Sequence, residues 1–221
     1  MAIKMVFWDL GGIMIELDRR GTAKKLAKGS RTYSEDELYA LFTHQQGLVS
    51  GFWDAVDIFD EGKISDYDFY DIVAKLLDLD RDLINFSTFR KIWRELIYIL
   101  PETLGLVHRL VDVRQGIISN LNRIHQSMIF TMIPRGLFDI PIFSYVEKII
   151  KPNALIYERA RRAANVEFEE ILFIDDRIDN LLSAARLNIQ VFHFDPKLPI
   201  EERVRRLELY MKGLGIIIKS H

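Results

Sequence analysis

Three short apolar runs end on polar residues that could hold an anion beside a cation. Met5-Val6-Phe7-Trp8 ends on Asp9 and is followed by Leu10-Gly11-Gly12. Ile117-Ile118 ends on Ser119-Asn120, and Phe173-Ile174 ends on Asp175-Asp176. Lys151 stands immediately before Pro152, at the head of a helical pattern. The set comprises a carboxylate able to act as nucleophile, a hydroxyl, an amide, an ammonium and two further carboxylates. Clustered carboxylate oxygens favour a hard divalent cation such as Mg²⁺. A hydroxyl, a backbone amide and a lysine suit charge developing on an oxyanion.

In open α/β sheets, ligands bind outside the carboxyl ends of the strands, so strands must deliver these groups. Residues 3–8, 115–118, 140–145, 171–174 and 189–194 are short apolar runs of the kind covered on both faces. Helical spacing recurs between them, at 104–111, 155–164 after Pro152, 179–186 and 201–212. From residue 101 onward this alternation predicts an α/β fold with a parallel, Rossmann-like sheet and crossover helices. The apolar segment 214–218 reads as a last strand or a packed tail.

Residues 16–100 read differently. Ser34-x-x-Glu37 and Ser65-x-x-Asp68 have capping-box spacing. Each precedes apolar residues at helical spacing: Leu38, Leu41 and Phe42, then Phe69, Ile72, Val73 and Leu76. Phe89, Ile92, Trp93, Leu96 and Leu100 extend the pattern across 86–100. The expectation is one α/β domain made of residues 1–15 and 101–221, interrupted by an all-helical block at 16–100.

Composition narrows the function. In 221 residues, 30 Lys+Arg against 32 Asp+Glu leave a net charge of −2, so no global field draws in nucleic acid or an anionic membrane. Apolar residues make up 49%, enough for a full core, and cysteine is absent, which removes disulfides, thiolate catalysis and Cys-ligated zinc. Lys4 and Asp9 interrupt the N-terminal apolar stretch too early for a signal peptide, and no run approaches the ~20 residues of a membrane span. A cytoplasmic monomer or homodimer with a small-molecule substrate is expected.

Residues 7–13 (Phe-Trp-Asp-Leu-Gly-Gly-Ile), 117–120, Lys151-Pro152 through Ile156-Tyr157, and 173–176 with Asn180 occur in an order that resembles the haloacid dehalogenase (HAD) superfamily. The helical block resembles the cap that this superfamily inserts after its first strand. The look is nearest to bacterial α-D-glucose-1-phosphate phosphatases and the phosphatase domain of soluble epoxide hydrolases. The resemblance implies a Mg²⁺-dependent phosphatase of a small phosphorylated metabolite, a sugar 1-phosphate among the options. Asp9 would attack phosphorus and form an aspartyl-phosphate. Asp9, the Gly11 carbonyl and Asp176 would hold the metal, with Asp175 a further ligand or an outer partner. Ser119, the Asn120 backbone and Lys151 would bind the phosphoryl oxygens.

One position departs from the superfamily pattern. Two residues after the nucleophile, where a second aspartate usually serves as general acid and base, this chain has Gly11. Such a group contributes about 10²- to 10⁴-fold in rate, or roughly 3–5 kcal/mol of barrier. A good leaving group would tolerate the loss, or Glu16, Asp18 or His44 would replace the acid. Two other readings stand beside the phosphatase: a metal-independent 2-haloacid dehalogenase, which the Asp175-Asp176 pair disfavours, and a non-catalytic binding protein.

Other residues read as structural. Asp179 suits the first turn of a helix. His125 and His193 suit packing or surface roles. Phe52, Trp53 and Phe59 suit the core of the helical block, with one of them free to line a pocket. Asp78-x-Asp80-x-Asp82 mimics the start of a calcium loop but lacks its glycine and its final glutamate. The Arg159–Arg162 and Arg203–Arg206 clusters are offset by neighbouring glutamates and read as solvated helix faces.

Overall fold

A computed structural model describes residues 2–43, 48–134 and 136–220. In chain order, β1 (Met5–Trp8) leads to β2 (Ile15–Leu17), followed by helices α1 (Arg19–Ala27), α2 (Glu35–Phe42), α3 (Phe52–Asp60), α4 (Asp66–Leu76) and α5 (Phe86–Arg94). The chain returns through β3 (Ile97–Ile99), α6 (Pro101–Arg109), β4 (Leu110–Val111), β5 (Arg114–Ser119), α7 (Arg123–Met132), β6 (Ile140–Phe143) and the single turn α8 (Ser144–Glu147). It ends with α9 (Ala154–Ala164), β7 (Ile171–Asp175), α10 (Ile178–Ala185), β8 (Gln190–His193), α11 (Ile200–Gly213) and β9 (Ile217–Ile218).

The five expected strands form one sheet in the order β6-β5-β1-β7-β8, and every pairing is parallel. Helices cover both faces, which is why β1 and β7 are apolar and buried at every position before their terminal aspartates. From β1 the chain winds outward on one side through β5 and β6, then crosses back to β7 and β8 on the other. β1 therefore sits at the switch point of the sheet, where a crevice opens at the strand ends.

The block at 16–100 is not wholly helical. The pattern read as helix through residue 100 ends with α5, and Ile97–Ile99 pairs antiparallel with Ile15–Leu17. This two-stranded ribbon carries the chain out to the helices and back. Ile97, Tyr98 and Ile99 are β-favouring residues, and pairing with a partner 80 residues away overrides a helical spacing that local sequence alone permits. The helices bury their own apolar cluster, including Leu38, Phe52, Phe59, Phe69, Phe89 and Trp93. Capping boxes form at Ser34 with Glu37 and at Ser65 with Asp68. The tail pairs antiparallel with Leu110–Val111, outside the main sheet. Among the described residues, no helix is long and apolar enough to cross a membrane.

Candidate active site

β1, β5 and β7 place Asp9, Ser119 and Asp175 side by side at their carboxyl ends, and the Asp9 N–H donates to the Ile174 carbonyl at 2.9 Å. Lys151 enters this cluster from the loop before α9. Its Nζ lies 2.9 Å from Asp9 Oδ1 and 2.7 Å from Asp175 Oδ2, and it donates to the Ile118 carbonyl at 2.9 Å. Lys151 is only 3% exposed. Burial alone would lower its pKa, but Asp175 and Asp9 outweigh that, and the net direction is upward. The ammonium stays charged.

Asp175 is completely buried and its acceptor capacity is filled. Oδ1 accepts from the Arg177 N–H at 2.8 Å and from Asn180 Nδ2 at 3.0 Å. Oδ2 accepts from Lys151 Nζ at 2.7 Å and from Asn180 Nδ2 at 3.0 Å. A carboxylate offers about four lone-pair sites, and all four contacts are made inside the protein. Asn180 is held in turn by α9, where the Tyr157 hydroxyl donates to its carbonyl at 2.9 Å.

Asn120 forms a reciprocal clamp. Its Oδ1 accepts from the Lys151 N–H at 2.8 Å and its Nδ2 donates to the Lys151 carbonyl at 3.1 Å. The side chain thus locks the lysine loop against the end of β5. The Ser119 hydroxyl helps hold the Asp9 carboxylate charge.

Asp9, Asp175 and Asp176 each offer a carboxylate oxygen, and these oxygens lie within 4.8 Å of one another. Lys151 is the only cation paired with them among the described residues. Burial, with Asp175 adding repulsion, raises the Asp9 carboxyl against the opposing Lys151. Burial, reinforced by Asp9 and Asp175, pushes Asp176 up to about 7. Three carboxylates facing one ammonium leave negative charge uncompensated, and a divalent cation satisfies it better than a proton. The donor set, all oxygen, fits Mg²⁺. Gly12 lets the Asp176 carboxylate approach the β1 loop: at φ +68, a Cβ there would lie 2.6 Å from Asp176 Oδ2. Gly11 meets no such constraint, since a Cβ there has nothing within 4 Å.

A cavity of about 170 Å³ opens beside Gly11, Ser119 and Asn120 and runs toward the helices, where Trp53, Val56, Asp60 and Trp93 line it. Asn122 and His125 at the start of α7 form part of the same wall. His125 Nε2 lies 2.9 Å from the Trp93 carbonyl, which can only accept, so this nitrogen carries the proton and Nδ1 accepts from Asn122 Nδ2 at 3.2 Å. Burial lowers His125 to about 4, so the ring is neutral. Asn122 Nδ2 also donates to Asp60 Oδ1 at 2.8 Å. Burial pushes Asp60 up to about 7, against the pull of Asn122 and with a contribution from Asp57.

Of the substitutes for the missing acid, Glu16 accepts from Arg19 and from the Leu17 N–H, and Asp18 caps α1 by accepting from the Gly21 N–H. Neither lines the cavity. His44 lies outside the described residues. His193 is tied through Nε2 to the Asp176 carbonyl at 3.1 Å, and Asp179 stands in the first turn of α10. Phe52 and Phe59 are buried among the helices, whereas Trp53 lines the cavity. Reasoning from sequence did not single out Asp60, Asn122 or Arg19 as site residues; Asn122 carries one local signal, an N-cap ahead of α7.

A parallel sheet with an acid at the end of its central strand, a buried lysine and two further carboxylates defines a class of α/β hydrolytic sites. A family model of the haloacid dehalogenase-like hydrolases matches residues 3–188, and the chain belongs to that family. Solved structures agree at the level of fold. A HAD family enzyme from Bacteroides thetaiotaomicron, solved with magnesium and inorganic phosphate, superposes with a TM-score of 0.71 at 21% identity, covering 90% of this chain and 98% of that one. A predicted HAD-like hydrolase from Porphyromonas gingivalis gives 0.71 at 18% identity over 94% and 98% of the two chains. An L-2-haloacid dehalogenase gives 0.68 at 18% identity over 96% and 100%.

Proposed function

We propose that this hydrolase is a Mg²⁺-dependent phosphatase of a small phosphorylated metabolite. The observation that carries the reading is the surplus of buried carboxylates: Asp9 and Asp175 are matched by Lys151, and Asp176 is left over. A dehalogenase that works without metal has no use for that third carboxylate. The phosphate and magnesium bound to the Bacteroides relative support the same choice.

In this reading Asp9, Asp176 and the Gly11 carbonyl would hold Mg²⁺, which would supply the charge neutralisation that lets a carboxylate approach a phosphate dianion. Asp9 attacks phosphorus, the bond to the leaving oxygen breaks, and water later releases phosphate from the aspartyl group. Ser119 and the Asn120 N–H donate to the phosphoryl oxygens, and Lys151 neutralises charge on them. Asp175 acts as a positioning residue, since its bonds to Lys151 and Asn180 occupy it fully. The helical insert serves as a cap over the cavity and excludes water.

With no acid at Gly11, the leaving group departs without help from that position. A sugar 1-phosphate of the kind hydrolysed by α-D-glucose-1-phosphate phosphatases meets this requirement, because an anomeric oxygen leaves more readily than an alkyl one. A phosphate-release screen over sugar phosphates, acyl phosphates and alkyl phosphates, with Mg²⁺ and with EDTA, tests the reading. Release that requires Mg²⁺ and favours anomeric over alkyl phosphates is expected. Halide release from 2-haloacids persisting in EDTA would establish the dehalogenase instead.

A further inference from the structure

We propose, resting on the phosphatase reading, that Asp60 binds a hydroxyl group of the leaving group. The substrates are then phosphate monoesters of polyhydroxylated alcohols about one sugar ring long. The cavity is lined by polar groups from both parts of the molecule. Ser119 and Asn120, beside the Asp9 cluster, line it, and so does Asp60, at the end of α3. Asn122, the Asp60 partner, follows Ser119 by three positions, and three steps of chain span at most about 11 Å. The distance from the phosphoryl end to the Asp60 partner is thereby bounded, and a ligand about one sugar ring long is of a size to reach both. Much of the remaining wall is apolar, with Phe42, Trp53, Val56 and Trp93 suited to the C–H face of a ring.

Asp60 is held firmly for this task. Its backbone carbonyl accepts from the Ser144 hydroxyl at 2.6 Å, and Ser144 Oγ also accepts from the Leu121 N–H at 2.9 Å. Its Oδ1 accepts from Asn122 Nδ2, and Asn122 is anchored by His125, which is anchored by the Trp93 carbonyl. That chain consumes Asn122: both amide hydrogens and the amide oxygen are engaged within the protein. Asp60 Oδ2 accepts no hydrogen bond from any described residue. Asp60 is a half-buried residue in the cavity wall, positioned by its neighbours, and this oxygen is left for a ligand. Near neutrality this carboxyl samples both protonation states, so it can donate to a hydroxyl or accept from one. A site built to bond a hydroxyl discriminates strongly against an analogue lacking it.

The test compares kcat/KM for hexose and pentose phosphates with that for p-nitrophenyl phosphate, in the full-length protein with Mg²⁺. Wild type should turn over at least one sugar phosphate about tenfold better than p-nitrophenyl phosphate. Asp60→Ala should lower the sugar value about 10- to 100-fold, as loss of a hydrogen bond to a charged group does, and change the p-nitrophenyl value less than threefold. Asp60→Asn retains the Asn122 contact and should fall between; it carries the test should the alanine variant not fold. Equal losses on both substrates, or no loss on the sugar, overturn the assignment while leaving the phosphatase standing. A wild type that releases no phosphate from any of these compounds overturns both.

Discussion

The site has two walls, the strand ends that lie beside the cavity and the helices that line it, and they are built on opposite principles. The sheet side packs Asp9, Asp175, Asp176 and Lys151 into a buried electrostatic cluster in which each charge depends on the others. The helical side is a cluster of aromatic and aliphatic side chains, with Asp60 and its Asn122–His125 support set into it. Charge at close quarters is unforgiving of substitution, because removing one partner leaves the rest uncompensated. Apolar walls tolerate change, because most of their stabilisation comes from area and volume. On the function proposed here, chemistry belongs to the sheet side and selection among substrates to the helical side.

Substitutions that break this contrast rank in a definite order. Asp9→Asn should cost about 10⁴-fold or more in kcat, as loss of a nucleophile does, and leave the urea midpoint no lower than in wild type. Lys151→Met comes next: it strands Asp9 and Asp175, and a broken buried pair costs about 3–5 kcal/mol, which urea unfolding at pH 7 measures. A smaller effect separates the walls by pH. His125 has a folded pKa of about 4, below its unfolded value, so the unfolded chain takes up the proton first as pH falls. The His125 contribution to stability should then fall between about pH 6.5 and 4 by about 3 kcal/mol, read as the difference between wild type and His125→Gln over that window.

Asp60 acts in the other direction. Its folded pKa of about 7 lies above the ordinary carboxylate value, so the native state binds the extra proton and stability declines as pH rises from about 4 to 7. Urea midpoints for Asp60→Asn against wild type should diverge over that window, with the variant gaining relative stability at higher pH. Smallest of all, Ser65→Ala removes the capping box of α4 and should cost about 1 kcal/mol without altering kcat. A large loss of activity from Ser65→Ala would show that the two walls are not separable.

The sheet wall was legible in the sequence because each of its groups follows a short apolar strand, and that local signal places a residue at a strand end. All five strands and the positions of Asp9, Ser119, Asp175 and Asp176 could be read this way. The helical wall was not. Asp60 meets Asn122 across 62 residues and Ser144 across 84, and nothing local marks such a meeting. The β2–β3 ribbon was hidden for the same reason: its two three-residue strands are too short to show a period and exist only by pairing with each other. Asp175 was readable as an acid at a strand end, and Arg177 and Asn180 lie close to it in sequence, but its engagement by Lys151 emerges only when the loop before α9 is brought against it.

The central claim is that Asp9 carries the phosphoryl group. Acid quenching during turnover of the best substrate in Mg²⁺, followed by peptide mass mapping, measures this directly. One phosphoryl group on the peptide containing Asp9, absent from Asp9→Asn and absent when EDTA replaces Mg²⁺, is the result the account predicts. Sustained phosphate release by Asp9→Asn, or an adduct on a different residue, would contradict it.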